Sequence, residues 1–356
     1  MDFSITEDQQ SLQKLVGEVL ADNATHEHLK ELEAAGWSVF DRTLWRQLAQ
    51  AGVTGIAVPE TAGGAGLGFL EVGLVLEQIG RAVAPVPAAA SLVTGYVFGK
   101  HGVAPELLAG LAAGDVVLTS AFEGEVSASR SGDDWVLEGE TPFVPYGAEA
   151  DVVAVPAMFG EGPILALVRH RAPGVTMTEL QTTNREPQAT LTFDSVRVTE
   201  VIENAGELVR DLRQHMTAGL AMVAAGVCSA ALEMTAKYTS EREQFGKKIA
   251  SFQAVGQRAA DAYIDTEMVR LTAFQAAWRL SVDWPSEEEV AVAKFWVGDG
   301  GMRALHACQH LHGGLGVDLD YPLHRYFLWG KQLEHELGTP TRQLLALGAH
   351  LAATPV

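Results

Sequence analysis

The period of the apolar residues changes twice along this chain, and those changes limit what it can fold into. Up to about residue 115 the spacing is helical. Leu12, Leu15, Val16 and Val19 share one face, Leu44, Leu48 and Ala51 another before Gly52, and Val72, Leu76 and Ile79 a third. From about 116 to 203 the pattern shortens to runs rich in β-formers: Val116–Thr119, Trp135–Glu138, Asp151–Val155, Ile164–Val168 and Ala189–Phe193. Turn residues such as Ser131-Gly132-Asp133-Asp134 separate them. Helical spacing then returns. It predicts one long helix over about 206–240 and a second over 253–282 that stops near Trp284-Pro285-Ser286. A third opens on Glu287-Glu288-Glu289, acids that suit the positive end of a helix, and runs to about 310. Shorter helices follow the Asp320-Tyr321-Pro322 break. The expectation is a mostly α protein with an inserted β-domain: helical at 1–115, β at 116–203 and helical at 204–356.

Composition narrows the partners. The 356 residues carry a net charge of −20, and an acidic surface opposes both nucleic acid and an anionic membrane. Local arginines can still meet a polyanionic ligand. Cys228 and Cys308 are the two cysteines and sit in apolar helical contexts, so neither a disulfide framework nor a metal set is expected, and a reducing cytoplasm fits. The opening Met1-Asp2-Phe3-Ser4 does not read as a signal peptide. The run Ala218–Leu232, rich in Ala and Gly, reads as a closely packed helix rather than a membrane span. The Gly63–Gly68 loop has two readings, a phosphate cradle or a packed loop. The second is preferred because no Lys-Ser/Thr follows, as a P-loop needs.

The segment with the most chemistry is Arg242-Glu243-Gln244-Phe245-Gly246, followed by Phe252-Gln253 and, further on, His310-Leu311-His312-Gly313-Gly314-Leu315-Gly316. An arginine and a phenylalanine at a helix-to-loop junction can grip the phosphate and ring of a dinucleotide. A glycine pair lets a backbone approach a pyrophosphate. The plainer readings are a surface salt bridge of Arg242 with Glu241 or Glu243, and helix-end histidines at 310 and 312. No carboxylate or cysteine stands at ligand spacing from those histidines, so no metal is expected there. Tyr238, Arg242, Phe245-Gly246 and Phe252-Gln253, with the Gly313-Gly314 loop and Gly338-Thr339, resemble the acyl-CoA dehydrogenase family. Trp45–Ala51, Gly52, Val58-Pro59-Glu60 and the Gly63–Gly68 loop extend the resemblance to nearly the whole chain.

The resemblance implies an N-terminal helical domain, a small β-barrel-like middle domain and a C-terminal four-helix bundle. It also implies FAD as cofactor, an acyl-CoA substrate desaturated between its α and β carbons, and an electron-transfer acceptor. In such enzymes FAD lies across a subunit interface, so Arg242, Phe245, His310, Gly313 and Gly314 would hold the adenosine diphosphate end of a neighbour's cofactor. His310 takes a place commonly held by glutamine. Other places depart from the family pattern. Ser120-Ala121-Phe122-Glu123-Gly124-Glu125 lacks the Gly-Ser loop, and Pro145 stands where a flavin-bonding hydroxyl is expected, with neither a side-chain donor nor a backbone N–H. Leu337 occupies the usual place of the catalytic glutamate, and the family's second place falls near Met216, between His215 and Thr217. The adjacent acid, Glu336, would diverge from that place by about 100° on a helix and reads as structural.

Loss of the ring site and of the base, with retention of the neighbour-donated half, resembles the non-catalytic subunit of actinobacterial heterotetrameric dehydrogenases of the steroid side-chain type. The expectation is a chain without catalytic residues of its own, completing the FAD site of a homologous catalytic subunit. One alternative is a self-sufficient homotetramer using Glu336 as base. Another is a flavin-free binding or scaffold protein on the same fold.

Overall fold

A computed structural model of the chain describes residues 5–132 and 134–353. The Met1–Ser4 opening and Asp133 of the 131–134 turn lie outside the described residues. Helices α1 (Glu7–Asn23), α2 (His26–Ala35), α3 (Arg42–Gln50), α4 (Phe69–Ala82), α5 (Ala88–His101) and α6 (Pro105–Ala113) come first. Local chemistry sets their ends. Thr6 and Gln9 form a reciprocal capping box on α1, and the Asp41 carboxylate accepts from the Thr43 and Leu44 amides at the start of α3.

The strands are β1 (Leu118–Ser120), β2 (Glu125–Ser131), β3 (Asp134–Pro145), β4 (Val152–Phe159), β5 (Gly162–Arg169), β6 (Val175–Leu180), β7 (Gln188–Val198) and β8 (Val201–Ile202). They form one sheet in the order β6-β7-β3-β2-β4-β5-β8, with β1 added in parallel to β4. The fold is thus mostly helical with an inserted β-domain. The five apolar runs fall in or beside β1, β3, β4, β5 and β7. Strands β2 and β6 escape sequence reading because β2 exposes five of its seven residues and β6, rich in threonine, buries none of its six fully. Backbone pairing makes them strands: β2 pairs with β3 from Glu125↔Glu140 to Ser131↔Asp134, and β6 with β7 from Val175↔Phe193 to Leu180↔Gln188.

Beyond the sheet run α7 (Gly206–Glu241), a short hairpin of β9 (Glu243–Gln244) and β10 (Lys247–Lys248), α8 (Gln253–Ser281), α9 (Glu287–Trp296), α10 (Met302–His312), α11 (Leu323–His335) and α12 (Pro340–Ala353). The helix expected from 287 to about 310 is interrupted by a π-turn at Val297–Gly301, a stretch with three glycines.

The chain forms two compact units. One holds residues up to His28, Gly73–Ala84 and Thr217 onward; the other holds Leu29–Val72 and Pro85–Met216. In the first, α4 and α7 meet backbone to backbone. A Cβ on Gly226 would stand 2.0 Å from the Glu77 carbonyl oxygen, and one on Gly80 would stand 2.0 Å from that of Val223. Ala262, Ala304 and Ala307 make a small-residue seam between α8 and α10, with Leu232 of α7 packed on it. This explains the Ala/Gly-rich run of α7. It is the one helix among the described residues that is long and apolar enough to cross a membrane, and 83% of its apolar window is buried inside the protein.

In the second unit the Gly63–Gly68 loop is a packed loop. The amides of Gly63, Gly64, Ala65, Gly66 and Leu67 all donate to carbonyls within residues 55–60, so none is left to cradle a phosphate. A Cβ on Gly64 would lie 2.1 Å from the Val58 carbonyl oxygen.

The α4–α7 crossing yields a test. Gly226→Ala should destabilise the protein by roughly 1–3 kcal/mol, the range for overpacking a close contact, because the nearest atoms are backbone and cannot swing away. Gly256→Ala on α8, where a Cβ meets nothing within 4 Å, is the control. Denaturant unfolding followed by circular dichroism compares the two.

Candidate functional site

Arg242 follows the last residue of α7, and its amide donates to the Tyr238 carbonyl at 2.9 Å. The chain then turns back in a two-residue hairpin in which Phe245 (φ 56°) and Gly246 (φ 76°) both take left-handed backbone. That geometry matches the twist of paired strands. Glycine adopts it freely, but for phenylalanine it costs about 1–2 kcal/mol. The Phe245 side chain gains little in return from this chain: it is 92% exposed, with an edge contact to Phe252 at 6.2 Å. Lys248 pairs across the hairpin with Glu243 at 2.9 Å. Among the described residues the Arg242 guanidinium makes no ion pair or side-chain hydrogen bond, so the salt-bridge reading with Glu241 or Glu243 does not hold.

The glycine loop follows α10. Two of its glycines have a reason within the fold. Gly313 has φ 61° and ψ −139°, a region that side chains avoid. Gly316 has the Gln309 carbonyl oxygen 2.7 Å from where a Cβ would be. Gly314 has neither: its backbone is ordinary, it is exposed, and a Cβ would meet nothing within 4 Å. Nothing among the described residues demands glycine there. His310 is exposed on the last turn of α10, and its carbonyl accepts the Gly313 amide.

His312, the other histidine of the motif, is buried. Its ring stacks on Tyr238 with centroids 4.4 Å apart and planes 17° apart. Its Nδ1 lies 2.8 Å from the Cys308 carbonyl oxygen and its Nε2 3.1 Å from the Tyr321 hydroxyl. Burial pushes its pKa down, which favours the neutral ring. The stack brings the end of α7, with Arg242, to the end of α10, with the glycine loop. Arg242, Phe245, His310, Gly313 and Gly314 therefore belong to two neighbouring chain ends whose polar groups face outward, and the donor set suits a pyrophosphate.

Glu336 lies elsewhere, at the C-terminus of α11. Burial pushes its carboxyl up to about 7, offset in part by Lys294. Lys294 was not singled out by sequence reading, since a lysine in Ala-Val-Ala-Lys-Phe-Trp carries no signal of its role. It is fully buried, and its Nζ donates to the Leu333 and Glu334 carbonyls at 2.7 and 3.2 Å, capping α11. Leu337 follows in left-handed backbone (φ 55°).

In the other unit the hydroxyls around the expected ring site are used internally. Thr119 donates to the Pro145 carbonyl at 2.6 Å, Thr141 to that of Glu123 at 2.6 Å, and Ser120 bonds Thr94 at 2.9 Å. Pro145 ends β3 opposite Gln188, just after a bulge between Thr141 and Val144 that absorbs Pro142 and the left-handed Phe143. At the second place of the base, Met216 is 2% exposed, and His215 is fully enclosed against Phe69 and Tyr96 with Nδ1 on the Asp211 carbonyl.

Two family descriptions match the chain: acyl-CoA dehydrogenase, N-terminal domain, over residues 6–115, and acyl-CoA dehydrogenase, C-terminal domain, over residues 208–352. The acyl-CoA dehydrogenase FadE27 of Mycobacterium tuberculosis is 40% identical, with 100% of both chains covered. FadE28 of the same organism is 34% identical over 89% of this chain and 95% of its own. Among solved structures, the ChsE4-ChsE5 complex from Mycobacterium tuberculosis contains a chain 40% identical with TM-score 0.95, covering the whole of both. The Tcur3481-Tcur3483 steroid ACAD is also 40% identical, with TM-score 0.92 over 99% of this chain and 100% of that one. The protein belongs to the acyl-CoA dehydrogenase family.

The half-buried Glu336 carboxyl predicts a pH signature. The folded pKa of Glu336, about 7, lies above its ordinary 4.5. Its contribution is therefore fully present below about pH 4.5 and is lost as pH rises through about 7. Lys294, lowered from 10.5 to about 8, acts in the opposite sense and above that window. Relative to the wild type, Glu336→Gln should gain thermal stability steadily from pH 4.5 to pH 7. Parallel melting curves at several pH values check this.

Proposed function

We propose that this chain is a subunit of an FAD-dependent acyl-CoA dehydrogenase, and that it completes the FAD site of a homologous catalytic subunit. The observation that carries this reading is the Arg242–Gly246 hairpin. It holds a cation with no side-chain partner among the described residues and a phenylalanine 92% exposed on strained backbone. A chain that keeps such a feature keeps it for something outside itself. FAD, when bound, supplies the hydride acceptor for the β-hydrogen of the acyl thioester. The Arg242 guanidinium would hold its pyrophosphate with charge-assisted hydrogen bonds, with the Gly313-Gly314 backbone and His310 as further donors and Phe245 as an apolar contact.

This chain supplies no proton acceptor at either usual place, since Leu337 and Met216 are apolar. The α-proton then goes to the partner's carboxylate. The internal use of the Thr119, Ser120 and Thr141 hydroxyls supports the loss of this chain's own ring site. The names of the relatives, a two-protein complex and a two-protein steroid ACAD, support a heterotetramer acting on a bulky, steroid-type acyl-CoA. An electron-transfer protein reoxidises the flavin, and the assembly works in the cytoplasm.

One observation favours a second reading, a homotetramer with Glu336 as base. A carboxyl raised to about 7 is well poised for proton abstraction near neutral pH. Its position at the end of α11, beside the Lys294 that caps the helix, argues for a structural role instead.

Three outcomes are expected. Arg242→Ala should fold but lose FAD on gel filtration, since a charged hydrogen bond contributes about 1.5–3 kcal/mol. The purified complex should carry two flavins per four chains, counted by absorbance against protein; four would overturn the half-site reading. Glu336→Gln should slow flavin reduction by substrate less than about tenfold, or about 1.4 kcal/mol in barrier. A loss of several orders of magnitude in stopped flow would favour the homotetramer.

A further inference from the structure

The hydrogen-bond roles at His312 are determined by its partners. The Cys308 carbonyl can only accept, so Nδ1 carries the proton and donates at 2.8 Å. Burial keeps the ring neutral, so Nε2 holds a lone pair and accepts from the Tyr321 hydroxyl at 3.1 Å. One face of the ring lies on Tyr238 at 4.4 Å. Each contact leads to a different segment. Tyr238 also receives the Arg242 amide through its carbonyl at 2.9 Å, so stack and helix end share one residue. Cys308 lies one turn back on α10. Tyr321 ends the stretch after the glycine loop and is tied to it by its amide, which donates to the Asp318 carbonyl at 3.1 Å. Gly313, the next residue after His312, has no side chain to fix its unusual φ and ψ. Its amide is held by the His310 carbonyl, and its other restraint is the fixed residue before it.

We infer that His312, clamped between Tyr238 and Tyr321, is a positioning residue that holds the Gly313-Gly314 backbone in register with Arg242 to receive a dinucleotide pyrophosphate. The inference rests on the FAD reading above and adds residues that do not themselves touch the cofactor. The clamp works by pre-organisation. Without it the loop remains connected but samples other conformations, and binding must select the competent one, so affinity falls by the competent fraction. Its effect is confined to the adenosine diphosphate end, so ADP alone reports it.

The test uses the FAD-loaded complex with the catalytic subunit and its apo form, with three variants of this chain: Tyr321→Phe, which removes one hydroxyl; His312→Phe, which keeps the stack and removes both hydrogen bonds; and Arg242→Ala. Tyr321→Phe should weaken ADP and FAD binding to the apoprotein by the same factor, about fivefold as for one hydrogen bond, with the apoprotein melting temperature within 2 °C of wild type. Adding Tyr321→Phe to His312→Phe should cost nothing further, because both remove the same bond. Tyr321→Phe carries the test if His312→Phe fails to fold. If Tyr321→Phe leaves ADP and FAD affinity within twofold while Arg242→Ala loses it, the positioning role is overturned and the FAD reading stands. If Arg242→Ala also leaves affinity unchanged, the FAD reading falls and this inference falls with it. A drop of more than 5 °C in the apoprotein melting temperature of Tyr321→Phe, without an ADP-specific loss, would make the cluster mere scaffold.

Discussion

The contact between α4 and α7 is the constraint on which the larger helical unit depends. Gly80 and Gly226 each stand where a Cβ would strike the backbone of the other helix at 2.0 Å, so the two axes approach as closely as backbones allow. Burying a helix this way requires small residues along its length, and α7 supplies them in Ala218–Leu232. Once α7 is so placed, its end is no longer free. Tyr238 meets His312, and the position of Arg242 follows from the helix geometry. A site at the terminus of a 36-residue helix is therefore positioned by packing many turns away from it.

Two regions of this protein treat polar groups in opposite ways. Around β1 and β3 the hydroxyls of Thr119, Ser120 and Thr141 are turned inward onto carbonyls and one another, as buried polar groups must be. At the α7–α10 ends, Arg242, His310, Phe245 and the Gly314 backbone face outward, and the hairpin accepts strained backbone to keep Phe245 exposed. Strain held without internal return is grounds for the functional proposal made above. The contrast is why the chain reads as half of a site rather than as a degraded whole one.

Lys294 and Glu336 show how a charge can be structural. A lysine ammonium inside the core is costly unless it is hydrogen-bonded. Here it closes the C-terminus of α11, whose last carbonyls have no partner of their own. The nearby carboxyl then titrates near neutrality because of burial, which is the signature expected of a catalytic base and equally of an acid trapped beside a cap. Its place favours the second: Glu336 is the C-cap residue directly after α11, beside the Lys294 ammonium, and Leu337 follows it in left-handed backbone.

Helix-strand-helix order was readable from the spacing of apolar residues, because burial of one face imposes a period on any sequence. The Arg242–Gly246 and Gly313–Gly316 segments were readable because arginine, aromatic and glycine residues at a helix end have few other uses. Strands β2 and β6 were not readable, since backbone pairing with a neighbour made them strands although neither has a fully buried apolar face. The roles of His312 and Lys294 were equally hidden: a histidine or lysine near a helix end looks the same whether exposed or buried. The stack on Tyr238, the hydroxyl of Tyr321 and the carbonyls of α11 come from segments distant in sequence. What the amino-acid sequence determined by itself was the local period and the chemistry on offer. The tertiary structure decided which of those groups were spent on the fold and which were left facing outward. That choice depends on which atoms meet across helices, and one-dimensional spacing carries no record of it.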